Sequence, residues 1–505
     1  MNDPFPTQIG VPPALAPYRR TPYYGDRYHA QSGGIRHFTV IVFIFGAAIL
    51  TVLADDWIAF LALVTLWLGW RYLPREPGAP IAAAAFTYQW MQVTIAIFYA
   101  AITGREIMDM RLVDYRPMIL VGLASVVAMF GGYLIGAGFY RRRRPAVPRV
   151  VVQMPVSLAQ IVVCYAASVA LTGTLLHFAW NTPKLTQVIL VLSLARYGLL
   201  FILVTRLLGP PPRWGWIALI ALMEVALGFG GFFADFRQPL VIIAIAVMGK
   251  LDLRRPRTWA AIGAISISAV TAGIAWTGIK PVIRIGFEES TSTVDRIVRA
   301  ASTAKVVLGD DPQAWQRETD GFVSRLWQVK YPAMALARVP AVLPHENGAI
   351  LWSVLVHIFT PRFLFPEKGE LPSDSEKVRK YAGIWVAGRE TGTSYAFGYA
   401  AESYVDFGIP LMFFPIFFYG LLMGVARRHL VRLIRHSELR DGAIAIIFWS
   451  SLYLFETSWV MMVGQAITQL VTIGGGAVLI DHALSRKRVK RSRAQPAVFA
   501  ATRQV

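Results

Sequence analysis

Apolar residues run along this chain in blocks of roughly 17 to 25, the length that carries an α-helix across a bilayer, and the blocks follow one another almost to the C terminus. The pattern predicts helices over 38–54, 57–72, 80–103, 117–140, 157–179, 185–208, 214–233, 239–250, 259–277, 409–426, 442–457 and 459–480. Those at 57–72, 239–250 and 442–457 are short for a span. Each must be extended by flanking residues, sit in thinned bilayer or be partly re-entrant.

The polar intervals organise the rest. Residues 1–35, rich in Pro, Gly, Tyr and Arg without an apolar period, read as a flexible tail. Spans 1–9 occupy 36–277, a large loop 278–408, spans 10–12 residues 409–482, and a basic tail 483–505. Within the loop, Asp295–Leu308 and Pro312–Tyr331 carry helical apolar spacing, the second opened by Asp311 before Pro312. The run 348–365 contains His357 and breaks at Pro361; it reads as re-entrant or interfacial. The expected fold is therefore an all-α polytopic membrane protein of about twelve spans.

Charge supplies the orientation. The chain carries a formal charge of +20, yet only 16% of its 505 residues are charged and 55% are hydrophobic. Its Lys and Arg punctuate apolar runs instead of forming the basic face of a soluble domain, which argues against a nucleic-acid partner. Arg71 and Arg75, Arg141–Arg144, Arg206 and Arg213, Lys250–Arg257, Arg427–Arg440 and Arg486–Arg493 all fall on alternate connections. That side is expected to be cytoplasmic, with both termini on it and the 278–408 loop opposite.

The single cysteine, Cys164, lies in an apolar run and reads as a buried thiol, which leaves no disulfide framework. No two outer-side histidines have metal-ligand spacing. The chain lacks GxxxxGK[ST], HExxH and GxSxG, so phosphate-loop, zinc-hydrolase and serine-esterase chemistry have no motif here, and no metal or cofactor is expected. Arg196 and Glu224 fall inside expected spans, where they either pair or line a polar cavity.

Candidate chemistry concentrates on the outer side. Arg237 opens a short span, and its planar fork suits a diphosphate as well as it suits a local ion pair. The segment 361–408 adds Arg362, Lys368, Arg389 and Tyr395, then Glu402 and Asp406 four residues apart on one helical face. His345 is the best placed of the outer histidines. Carboxylates beside cations match what glycosyl transfer from a diphosphate carrier needs: a base for the attacking hydroxyl and positive charge for the leaving group.

Three segments, Val339-Pro340 through Pro344-His345-Glu346-Asn347-Gly348, Thr360-Pro361-Arg362-Phe363-Leu364-Phe365-Pro366-Glu367-Lys368, and Gly392-Thr393-Ser394 with Gly398–Gly408, resemble bacterial O-antigen and exopolysaccharide polymerases of the Wzy type. The resemblance implies a multi-pass protein of the bacterial inner membrane that polymerises undecaprenyl-diphosphate-linked oligosaccharide repeat units at the periplasmic face. It implies a metal-independent glycosyltransferase, with membrane lipids, a chain-length regulator and a flippase as partners. Arg237 and Arg389 would then engage the diphosphate, Arg362 and Lys368 support them, Tyr395 and Asp406 bind substrate, and Glu402 or His345 act as base. The related O-antigen ligases share the architecture. A flippase should carry charges lining its spans on both sides of the midplane and has little need of so large a loop. A structural membrane subunit also stays open.

Overall fold

The computed structural model describes residues 57–73, 80–105, 113–138, 152–182, 185–229, 237–251, 255–288, 293–310, 312–360, 365, 367–391 and 393–486. The expected span 38–54, the tail 1–35, Asp311 and Arg362 lie outside them. Among the described residues eight helices come first: α1 (Trp57–Tyr72), α2 (Ile81–Thr103), α3 (Arg116–Ala137), α4 (Leu158–Asn181), α5 (Thr186–Leu207), α6 (Trp214–Phe229), α7 (Arg237–Met248) and α8 (Pro256–Glu288). The loop follows as α9 (Thr293–Lys305), α10 (Pro312–Leu326), α11 (Lys330–Arg338), α12 (Ala349–Phe359), α13 (Asp374–Lys377) and α14 (Tyr399–Phe407). The chain ends in α15 (Phe413–Leu433), α16 (Ser437–Leu452) and α17 (Trp459–Gln469), the last running on through a π-helical turn to Arg486. Among the described residues no strand occurs, only an isolated bridge between Val152 and His436.

Six of these helices are long and apolar enough to cross a membrane: Ile81–Thr103, Arg116–Ala137, Leu158–Ala179, Thr186–Leu207, Ala260–Pro281 and Trp459–Arg486. Helices α1, α6, α7 and α12 are apolar but shorter. On α4 and α8 large apolar side chains such as Val163, Leu171, Ile265 and Ile267 point outward, as expected where lipid is the solvent. Cys164 is exposed on the same helix as Val163, so the expectation of a buried thiol is corrected.

Lipid tails are as apolar as a side chain, so close packing must hold the helices together. The tightest seam joins α3 to α15, where Gly132 and Gly136 face Gly420 and Gly424. A Cβ added to Gly420 would lie 1.8 Å from the Met129 carbonyl oxygen, and one on Gly136 would lie 2.1 Å from that of Leu421. Helix α2 crosses α3 with Phe86 edge-on to Phe130. Arg196 and Glu224 do pair, at 3.5 Å between α5 and α6, and Tyr165 of α4 donates a hydrogen bond to the same carboxylate.

The loop is folded onto the bundle. Helix α10 lies along α8 with Phe322 against Gly273, and the Gln328 amide donates to the Gln92 carbonyl of α2 at 2.9 Å. Helix α14 is buried along nearly its whole length, from Tyr399 to Asp406. The break between α16 and α17 sits beside it and reaches inward to Phe455, which meets Gly122, seven residues into α3.

Candidate functional site

Two helix ends meet near the middle of α2, the C terminus of α16 and the N terminus of α17, and the N terminus of α7 comes up to them. Each such end leaves backbone amides or carbonyls without an intrahelical partner, and away from water they must find one in side chains. Two glutamines of α2 supply part of the answer. Gln89 donates to the Leu452 carbonyl at 2.6 Å, and Gln92, the midpoint of α2, accepts from the Phe455 amide at 2.7 Å. The rest comes from the loop. The Tyr399 amide donates to the Thr457 carbonyl at 2.8 Å, and Glu402 accepts from the Trp459 amide at 2.8 Å.

Around this break lies an aromatic wall. Trp449 of α16 and Tyr453, the residue just past its C terminus, stack with ring centres 4.7 Å apart, and Tyr88 of α2 closes on both. Helix α7 enters from the other side. Its first residue, Arg237, is exposed and sets Nη1 3.5 Å from the Tyr88 hydroxyl, while Gln238 donates to the Tyr453 hydroxyl at 3.2 Å. The positive end of the α7 dipole therefore adds to the guanidinium charge. Glu456, in the middle of the break, is half-buried and lies within electrostatic reach of Arg237.

Three polar atoms of these segments lack partners. Gln238 Oε1, Trp449 Nε1 and Ser458 Oγ are buried and make no hydrogen bond. Buried polar atoms are paired as a rule, so each of these has room for a water or ligand partner.

The residues singled out from the sequence fall into two groups. Arg237 stands at the break. Glu402 is fully buried and takes the Lys377 ammonium as a close partner, with Asp374 completing the pair at 3.4 Å from Lys377. Burial works against the Lys377 charge, yet Glu402 and Asp374 outweigh it and hold the ammonium pKa above the usual lysine value. Glu402 thus anchors α13 and α17 to α14 and presents no free oxygen to a hydroxyl. Asp406 caps α12, accepting from the amides of Ile350 at 3.0 Å and Leu351 at 2.7 Å, the arrangement that satisfies a helix start.

His345 packs its ring against Gly408 and directs Nδ1 at the Tyr404 carbonyl, 3.1 Å away. Lys368 donates to the last carbonyls of α12, those of His357 and Thr360. Tyr395 stands edge-on to Tyr331, its amide bonded to Ser375 Oγ at 2.9 Å. Arg389 opens the 3₁₀ turn Arg389–Thr391.

Sequence reading missed Tyr88, Gln238, Trp449, Tyr453 and Glu456. The available signal was the glutamine pair Gln89 and Gln92 inside an otherwise apolar helix, since an amide at that depth must find a hydrogen-bonding partner on another segment. Among the described residues no group of His, Cys, Asp and Glu is placed to hold a metal. No family model, curated protein or solved structure matches the chain.

Proposed function

We propose that this chain is a membrane glycosyltransferase that joins lipid-diphosphate-linked oligosaccharide repeat units into a longer polysaccharide at the outer face of a bacterial inner membrane. The reading includes about twelve spans with both termini inside, because the basic connections alternate along the chain. The observation that carries it is Arg237 at the N terminus of α7, set against the Tyr88–Trp449–Tyr453 wall beside Glu456. A guanidinium at a helix N terminus suits a diphosphate. Aromatic faces suit sugar rings and a polyprenyl tail. The motif resemblance of the segments 339–348, 360–368 and 392–408 supports the same reaction class.

The loop has a structural part in this reading. Glu402, Asp406, Lys368 and His345 hold α12, α13, α14 and α17 together around the break, so that Glu456 and Tyr453 are presented at a fixed distance from α7.

The test is a deletion strain complemented with full-length Arg237 variants and scored by gel profile of the polysaccharide. Arg237→Ala should lower polymer formation by about 10²-fold or more, the scale seen when one transition-state donor is removed, with single repeat units retained. Arg237→Lys should recover little, because an ammonium cannot make the bidentate contact. Long chains of unchanged length from Arg237→Ala would exclude the proposed role, and loss of single-unit material together with long chains would favour a flippase.

A further inference from the structure

The carboxylates of the loop that lie around the break and the helices bound to it are committed. Glu402 holds Lys377, Asp406 caps α12, Glu346 holds Lys380 and Tyr381, Glu390 holds Arg379, and Glu376 closes on Ser373. Glu456 is different. It is partly buried at the break, and among the described residues no donor hydrogen-bonds its carboxylate. Its backbone is fixed: the Glu456 Cα would lie 3.4 Å from a Cβ placed on Gly398, and the neighbouring Phe455 amide and Thr457 carbonyl are both bonded. A held backbone with an uncommitted carboxylate is the arrangement a general base requires, since the oxygen must be free to accept a proton.

We propose that Glu456 is the general base of the glycosyl transfer, working opposite Arg237. The proposal rests on the glycosyl-transfer reading given above. In the step, an acceptor sugar hydroxyl gives its proton to the Glu456 carboxylate as its oxygen bonds to the anomeric carbon of the donor. The bond from that carbon to the diphosphate oxygen breaks, and the lipid diphosphate leaves with the electron pair, its charge met by Arg237 and the α7 N terminus. The proton stays on Glu456 until solvent removes it. The positive charge of Arg237 across the break favours the ionised carboxylate that accepts the proton. The titratable groups facing the break are Arg237 from α7, Tyr88 from α2, Tyr453 from α16, and Tyr399 and Glu402 from α14, the last tied to Lys377.

The experiment uses the full chain in lipid nanodiscs with a lipid-diphosphate-linked oligosaccharide, measuring donor binding and chain extension separately. Glu456→Gln should bind donor within about twofold of wild type while extension falls by about 10² to 10⁴, the usual range for removing a base. Glu456→Asp should restore part of the rate. Wild-type extension should show an acid limb as a single carboxylate takes up its proton. Should Glu456→Gln fail to fold, this limb decides by itself, and a rate that stays flat through the carboxylate range overturns the proposal. Extension by a folded Glu456→Gln at the wild-type rate also overturns it and leaves the glycosyl-transfer reading standing. A wild-type chain that binds no such donor and extends nothing removes both.

Discussion

Tyr399 and Gln89, 310 positions apart, share a hydrogen bond of 2.8 Å from the tyrosine hydroxyl to the amide oxygen, both side chains closed to solvent. Through it the loop helix α14 is bolted to the middle of α2. The other end of the same amide holds the Leu452 carbonyl where α16 stops. One glutamine therefore ties a span, a loop helix and a helix break together.

Tyr399→Phe should test that bolt. It keeps the ring packing against Phe455 and Trp459 but leaves a buried amide oxygen unsatisfied, which costs about 1–3 kcal/mol. The expected result is a lower thermal midpoint of the full chain in detergent. Gln89→Leu on the Tyr399→Phe background should add less than it does alone, because both changes break the same bond.

Lys377 and Glu402 should behave as a buried pair. Their side chains are 7% and 0% exposed, and removing one partner strands the other at about 3–5 kcal/mol. Lys377→Met alone should leave little folded protein. The double variant Lys377→Met with Glu402→Gln should recover most of it, measured as the monodisperse fraction on size exclusion. Equal yields from the single and double variants would mean that the pair contributes nothing.

Gly420 should tolerate no side chain. With the Met129 carbonyl 1.8 Å from an added Cβ, even alanine must push α3 and α15 apart. Gly420→Ala is expected to destabilise by about 1–3 kcal/mol, the usual range for overpacking. Gly131→Ala, where nothing lies within 4 Å of the new carbon, is the matched control and should be silent.

Glu346 supplies a pH dependence. Hydrogen bonds from Lys380 and Tyr381 hold its carboxyl below the usual carboxylate range. A folded-state pKa below the unfolded one contributes stability that is complete above the unfolded value and is lost as pH falls through the folded value. Hydrogen-exchange protection of the turn Val378–Ala382 should thus be level at neutral pH and decline only in strong acid. The wild-type minus Glu346→Gln difference isolates this residue from other carboxylates, and it should shrink over that same acid window.

The short helices show where sequence pattern and structure part. The apolar blocks at 57–72 and 80–103 match α1 and α2 within a residue at each end, because a run that must bury or face lipid along its whole length has only one secondary structure open to it. The block at 442–457 does not match: α16 occupies Ser437–Leu452. Hydropathy cannot see that Gln89 and Gln92 take over the backbone groups at its end, which lets an apolar segment leave the helix while still buried.

Glu402 and Asp406 make the same point in the site. Their spacing places both carboxylates on one face of a helix, as the sequence indicates, but that face turns inward onto Lys377, Trp459 and the α12 amides. Arg237, by contrast, was legible as a lone cation opening a short apolar run. Glu456 had no local signal.

The sequence by itself determined the membrane composition, the helical class, the place of the long polar insertion and the cation at the head of α7, since all of these follow from local hydropathy and charge. Only the tertiary structure decided which carboxylates are spent and which remains. Pairing of buried charges depends on what another segment, often hundreds of residues away, brings within hydrogen-bond distance, and no local pattern encodes that distance.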